Sequence, residues 1–204
     1  MKNILMIGMT PNPGGIESFI MTFYRYLKKY YRIDFLTTFD TCAYSKEILE
    51  NQSQIFTIKS SQFKDFSNFK KEVSDFFKHH HYDIIWFNAC DLGNLGLLKY
   101  AYLSSPEKVI VHAHNNDFMQ KGKKALFYKF MHYRNKKKVK QYATDYFACS
   151  ELAGEFFFED EVRQSPHYHI INNAIDSKRF KFDGEMRNIY RRDLHLENKI
   201  TIIN

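Results

Sequence analysis

Cysteine is scarce in this chain of 204 residues: there are three, Cys42, Cys90 and Cys149, far apart and never in a CxxC spacing. That excludes a disulfide framework and a thiolate-based zinc knuckle. Long hydrophobic runs are missing as well, and none approaches the roughly 18 apolar residues of a membrane-spanning helix. The first apolar stretch, Asn3 to Met9, is broken by Thr10-Pro11-Asn12-Pro13 before it reaches the length of a secretory leader. There is no internal repeat and no low-complexity linker. Disorder over most of the chain is excluded by what is present: 44% apolar residues, including 20 Phe and 14 Tyr, are ample for a core. The expectation is a reduced, cytosolic protein of one large domain or a domain with an appendage.

Several chemical signatures are missing too. No GxxxxGK[ST] loop is present, and no GxGxxG fingerprint; the second expected strand ends in Thr37-Thr38 where an acidic residue would hold a ribose. No GxSxG elbow and no Ser-His-Asp order point to triad hydrolysis. There is no DxD pair to hold a nucleotide-bound metal.

Charge, by contrast, is concentrated. The formal net charge is +7, yet nine Lys and Arg and no Asp or Glu fall between Lys121 and Lys140, so the rest of the chain is slightly negative. The patch comprises Lys121, Lys123, Lys124, Lys129, Arg134, Lys136, Lys137, Lys138 and Lys140. It would attract phosphate, anionic lipid or nucleic acid by Coulomb steering, or serve only as a solvated helix face. No recognisable nucleic-acid-binding motif accompanies it. Leu126, Phe127, Phe130 and Met131 form an apolar stripe within the same stretch, expected to pack partly on the sheet.

Periodicity gives an alternating order. Strands are expected at Asn3–Gly8, Arg32–Thr38, Ile55–Ile58, Tyr82–Asn88, Lys108–His114, Asp145–Ser150 and His169–Asn172. Helices are expected at Ile16–Tyr30, Phe66–His80, Leu92–Leu103 and Lys123–Ala143, while Cys42–Asn51 stays unassigned. Such alternation means βαβ units: an α/β, Rossmann-like, doubly wound and mainly parallel sheet with helices on both faces. Ligands of such sheets bind beyond the carboxyl ends of the strands. The final residues, Lys199 to Asn204, read as one more strand just beginning, as in a chain cut at a domain boundary.

The strand ends therefore hold the candidates. Gly14-Gly15, between the first strand and its helix, would let backbone N–H groups approach an anion, or would serve only the turn. The fourth strand ends at Asn88-Ala89-Cys90-Asp91, and the fifth at His112-Ala113-His114. Period two places His112 and His114 on one side of the strand, with His114 nearer the exposed end. That pair opens a metal-dependent hydrolase reading, although Asp117 falls one position too late for an HxHxD pattern; a packed, hydrogen-bonded His112 is the plainer expectation. Ser150, Asn172 and Asn173 end the last two strands with groups that hydrogen-bond hydroxyl-rich ligands.

Taken together, Gly14-Gly15-Ile16-Glu17-Ser18-Phe19-Ile20-Met21, Tyr24-Arg25 and Ile33-Asp34-Phe35-Leu36 resemble the start of family 4 glycosyltransferases of the GT-B type. Val111-His112-Ala113-His114-Asn115, Ala143 to Ser150, Ile171 to Asp176 and Phe180 continue the likeness. More narrowly, the chain resembles bacterial capsular and exopolysaccharide enzymes. The resemblance implies two Rossmann-like domains facing a cleft, one mainly for the acceptor and one mainly for the nucleotide-sugar. It places residues 1–185 in the acceptor-side domain, and residues 186–204 in the linker and first strand of a donor-binding domain. The Gly-Arg turn with its Lys and the ExxxxxxxE motif of that second domain do not occur here.

The resemblance also implies site residues. His114 matches the family's active-site histidine, and Gly14 and Gly15 match the loop near the donor diphosphate and acceptor. Asn88, Asp91, Ser150, Asn172 and Asn173 are the further substrate-binding candidates, with Asn172-Asn173 standing where Asn-Gly is commoner. It implies retention of anomeric configuration, with no metal and no cofactor. The implied partners are a nucleotide-sugar, a lipid-linked saccharide acceptor and an anionic membrane surface, without nucleic acid. Lys123, Lys124, Lys136, Lys137, Lys138 and Lys140 would form the membrane patch at the inner face of the cell membrane. A stand-alone polyanion-binding module is the alternative from another class.

Overall fold

Seven parallel strands lie in one sheet in the order β3-β2-β1-β4-β5-β6-β7. The computed structural model describes residues 1–118, 122–175, 177 and 181–201, without the side chains of Lys123 and Lys124. The strands are β1 (Asn3–Ile7), β2 (Arg32–Thr37), β3 (Ile55–Thr57), β4 (Ile84–Ala89), β5 (Lys108–Ala113), β6 (Asp145–Ala148) and β7 (Tyr168–Ile170). Between them run α1 (Gly15–Leu27), α2 (Ser45–Glu50), α3 (Phe66–His79), α4 (Gly96–Leu103), α5 (Lys123–Lys136), α6 (Glu151–Phe157) and α7 (Asp160–Arg163). Because β1 pairs with both β2 and β4, the winding reverses between β1 and β4, which makes that crevice the switch point of the sheet.

The strand period of two sorts the core. Leu5, Ile7 and Ile85 meet α3 and α4 through Phe69, Val73, Phe76 and Leu97 on one face. Farther along that face Val109 and Val111 meet Leu98, Ala153 and Phe157. Ile4, Met6, Trp86 and Ile110 point the other way, onto Phe19, Ile20 and Tyr24 of α1 and Ile48 of α2. The expected doubly wound, Rossmann-like fold is the one found.

The departures are local and have physical causes. The unassigned stretch after Cys42 contains α2. The helix expected from Leu92 starts at Gly96, because two side-chain turns come first: Asp91 Oδ1 accepts from Gly93 N–H at 2.7 Å and Asn94 Oδ1 from Gly96 N–H at 2.7 Å. Residues 151–163 hold the unexpected α6 and α7, and β7 ends at Ile170, before the expected Asn172.

The basic helix differs most from expectation. α5 stops at Lys136, and a single 3-10 turn, Val139–Gln141, takes the place of its expected continuation. Most of its apolar stripe does not pack on the sheet: Leu126, Phe127 and Phe130 are exposed, and Met131 is half-buried. Among the described side chains of α5 the buried ones are instead His132 and Asn135. They hold the loop after β4: Leu92 N–H donates to His132 Nδ1 (3.0 Å), Asn135 Nδ2 donates to Leu92 O (2.6 Å), and His132 Nε2 donates to Phe156 O (2.9 Å). Burial lowers the His132 pKa.

The described residues form two compact units, Met1–Asn173 and Ala174–Asn204. The second contains α8 (Gly184–Asp193), whose N-terminus is capped by Asp183 accepting from Met186 N–H at 2.9 Å. Of the strand expected at Lys199–Asn204, residues 199–201 are described and carry no strand; residues 202–204 lie outside the described residues, as do Asp176, Phe180 and Lys121.

Candidate functional site at the carboxyl edge of the sheet

The β1–α1 loop is tied from inside by one carboxylate. Glu17 is buried in the first turn of α1, where Oε1 accepts from the Thr10 hydroxyl (2.6 Å) and Thr10 N–H (3.2 Å), and Oε2 from Gly14 N–H (3.0 Å). Glu17 at N3 makes the reciprocal half of a capping box, onto Gly14 N–H, while glycine has no side chain for the other half, so no S/T-x-x-E signal marked Glu17 in the sequence. Gly8 leads into the loop at φ +128°, a conformation side chains rarely adopt, and a Cβ there would stand 2.5 Å from the Asn88 carbonyl oxygen. A Cβ on Gly14 would stand 2.9 Å from Glu17 Oε2, whereas one on Gly15 would meet nothing within 4 Å. The protein's own packing therefore does not require glycine at 15. An exposed glycine at the start of a helix gives an anion access to free N–H groups and the positive end of the dipole.

Two strands away, β5 delivers the histidines to the α1 face. Phe19 of α1 stands edge-on to both rings, with centroids 4.7 Å from His112 and 4.7 Å from His114. The imidazoles are stacked on one another at 4.1 Å. His114 Nε2 lies 2.9 Å from Asn88 Oδ1, and the Asn88 amide nitrogen donates to Ile7 O at 3.1 Å and Trp86 O at 3.3 Å. Asn88 thus links β1, β4 and β5 across the switch point.

His112 is completely buried among Trp86, Phe19 and Phe147, and neither ring nitrogen finds a hydrogen-bond partner among the described residues. The expected packing is present and the expected hydrogen bond is not: the rings of Phe19, Trp86 and Phe147 that enclose His112 bring no acceptor or donor within reach of its nitrogens. Burial, with His114 alongside, pushes its pKa down to about 2, and burial pushes that of His114 down to about 4. Both rings are neutral at pH 7.

The other expected residues fall in two groups. Gly14, Gly15, Asn88 and His114 share the carboxyl edge of β1, β4 and β5, but Asn88 is buried and its side chain is committed to protein partners. Asn172 and Asn173 are exposed beyond β7, two strands from β5 and hence about 10 Å farther along the sheet. Asp91 is engaged in the turn to Gly93, and Ser150 caps α6 by accepting from Ala153 N–H at 3.2 Å. Beside the switch point, on the α4 side, Ile7, Gly8, Thr37, Thr38, Asn88 and Asn94 line a cavity of about 180 Å³. No group of three or more His, Cys, Asp or Glu among the described residues could hold a metal ion.

The lysine patch is less uniform than the sequence suggests. Lys140 pairs with Glu161 at 2.5 Å, and Lys136 Nζ donates to Glu155 O at 2.6 Å. Glu159, Asp160 and Glu161 line the same surface hollow as Lys136, Lys137 and Lys140. No helix among the described residues is long and apolar enough to cross a membrane.

No family model matches the chain. EpsF of Bacillus subtilis strain 168, a glycosyltransferase by name, is 27% identical over 194 residues, covering 90% of this chain and 48% of EpsF. Anabaena HepE, solved with UDP and glucose, superposes with a TM-score of 0.67 at 16% identity, over 97% of this chain and 51% of HepE. S. aureus MnaA, solved with UDP, gives 0.61 at 13% identity, over 96% and 52%. The chain spans about half the length of each of these proteins.

Proposed function

We propose that the chain is the acceptor-side half of a glycosyltransferase of the GT-B, family 4 type, moving a sugar from a nucleotide-sugar with retention of configuration. On this reading residues 1–185 form the acceptor domain, and residues 186–204 lead into a donor-binding domain. The observation that carries it is the joining of the Gly14-Gly15 loop to His114 through Phe19 at the switch point. The similarity to EpsF over most of the chain supports the reaction class, and the fold shared with UDP-bound proteins supports a nucleotide-linked donor.

The mechanism follows from what these groups can do. Transfer leaves negative charge on the departing diphosphate, and the N–H groups at the start of α1 not taken by Glu17 would stabilise it. Gly15 leaves room for a phosphate to reach them. His114, neutral and fixed by Asn88, positions a sugar at the carboxyl edge. His114→Ala in the complete enzyme should lower kcat about 10²–10³-fold with the fold intact, the usual cost of one such group. Turnover and far-UV circular dichroism measured together check this, and an unchanged kcat would remove His114 from the site.

The metal-hydrolase reading fits less well. The two imidazoles are stacked face to face, and His114 Nε2 is turned toward Asn88. The acceptor we propose is a lipid-linked saccharide of surface polysaccharide synthesis, met at the cytoplasmic face of the membrane. There α5 would meet anionic lipid through its exposed apolar ridge and the cations flanking it.

A further inference from the structure

Asn88 is buried, and each end of its amide faces a group of fixed character. Main-chain carbonyls only accept hydrogen bonds, so the atom near Ile7 O and Trp86 O must be the amide nitrogen, which leaves Oδ1 toward His114. An amide oxygen also only accepts, so the hydrogen in the contact at 2.9 Å must sit on His114 Nε2. A neutral imidazole carries one such hydrogen. His114 Nδ1 is therefore a bare lone pair, and it has no hydrogen-bond partner among the described residues.

We infer that Asn88 is a positioning residue that locks His114 in the Nε2–H tautomer, leaving Nδ1 as an acceptor for a ligand hydroxyl. The opposite tautomer would place a lone pair against the Asn88 oxygen, and rotating the amide to relieve that would turn its oxygen onto two carbonyls. His112 stacks on one face of the ring at 4.1 Å and Phe19 meets it edge-on from the side at 4.7 Å, so it cannot swing away freely. The consequence is selective. Nδ1 can accept from a sugar hydroxyl, but cannot donate to a phosphate oxygen or protonate a leaving group at neutral pH. The lock stands on the local geometry alone; its assignment to a sugar hydroxyl rests on the function proposed above.

The test is long-range proton–nitrogen NMR of the 204-residue chain labelled in its histidines, at pH 7, with the His114 signals assigned through His114→Gln. The expected pattern is a single tautomer with Nε2 protonated and Nδ1 bare. Asn88→Ala, which removes the accepting oxygen, should give a mixture of tautomers. A protonated Nδ1 in the unsubstituted chain overturns the lock even if no Asn88 variant folds. So does a folded Asn88→Ala chain with an unchanged pattern. Adding UDP-glucose to the chain continued through its donor-binding domain, with inorganic phosphate as control, reads the ligand class: Nδ1 should shift with the sugar nucleotide and not with phosphate. A shift with phosphate, or none with either, overturns the hydroxyl assignment while the tautomer result stands.

Discussion

At the scale of the residue, the site contains groups that work against the stability of the fold. His112 places two unpaired nitrogens in an aromatic pocket, and a buried unpaired polar group costs about 1–3 kcal/mol. His112→Leu, of similar volume, should therefore raise stability at pH 7 by about 1 kcal/mol, read by urea unfolding. The pH dependence has a definite sign. His112 and His114 have folded pKa values of about 2 and about 4, below the ~6.5 of a free imidazole, so the unfolded chain binds protons first. The stability tied to their neutral forms is complete above about pH 6.5 and is lost as pH falls, toward about 4 for His114 and toward about 2 for His112. The loss should begin before carboxylates titrate, and His112→Leu should make it shallower; a flat profile from pH 7 to 5 would contradict the burial of the pair. The glycines separate as sharply. Gly8→Ala should cost about 3 kcal/mol through its positive φ and its contact with Asn88, whereas Gly15→Ala should leave stability unchanged and weaken only anion binding. Thermal unfolding and nucleotide titration of the two variants check this. His114 and the glycines were legible in the sequence because strand period and loop position expose them. The Asn88 contacts were not, since they depend on how β1, β4 and β5 register.

At the scale of the element, pattern reading succeeds where an apolar face meets the sheet and fails where a polar face does. α1 and α3 bury Phe19, Ile20 and Tyr24, or Phe69, Val73 and Phe76, at helical spacing, and both were legible. α5 inverts the rule, because its inner face must satisfy backbone groups of Leu92 and Phe156 and so buries His132 and Asn135. Its aromatics are left outside, with Phe63 packed edge-on against Phe127 at 5.8 Å. A ridge of exposed Leu126, Phe127 and Phe130 beside Lys129 and Arg134 suits the interface of an anionic bilayer better than adsorption by charge alone. Lys136–Lys140 is partly neutralised by α7, so its share of the roughly 1 kcal/mol per cation available at such a surface is reduced. Co-sedimentation with anionic and neutral vesicles across a salt series should show charge-dependent binding with a salt-resistant remainder. Changing Leu126, Phe127 and Phe130 to Ser should abolish that remainder, and changing Lys136, Lys137 and Lys138 to Glu should remove much of the salt-sensitive part. Binding indifferent to lipid charge, or untouched by both sets of changes, would defeat the membrane role.

At the scale of the whole molecule, the alternation of strands and helices predicted the doubly wound sheet, since parallel pairing leaves few other arrangements for such an order. The short elements were less legible: α2, α6 and α7 have 6, 7 and 4 residues, too few turns for periodicity to stand out. The proposed reaction needs a cleft; on that reading Met1–Asn173 would supply one wall through Gly15 and His114, and a donor-binding half most of the nucleotide contacts. The most direct measurement is transfer of labelled sugar from a panel of nucleotide-sugars, by the 204-residue chain alone and by the chain continued through a donor-binding domain. The account predicts no turnover by the chain alone, and transfer with retained anomeric configuration by the longer polypeptide, lost on His114→Ala. Turnover by the 204 residues alone, or inversion of configuration by the longer polypeptide, would contradict it.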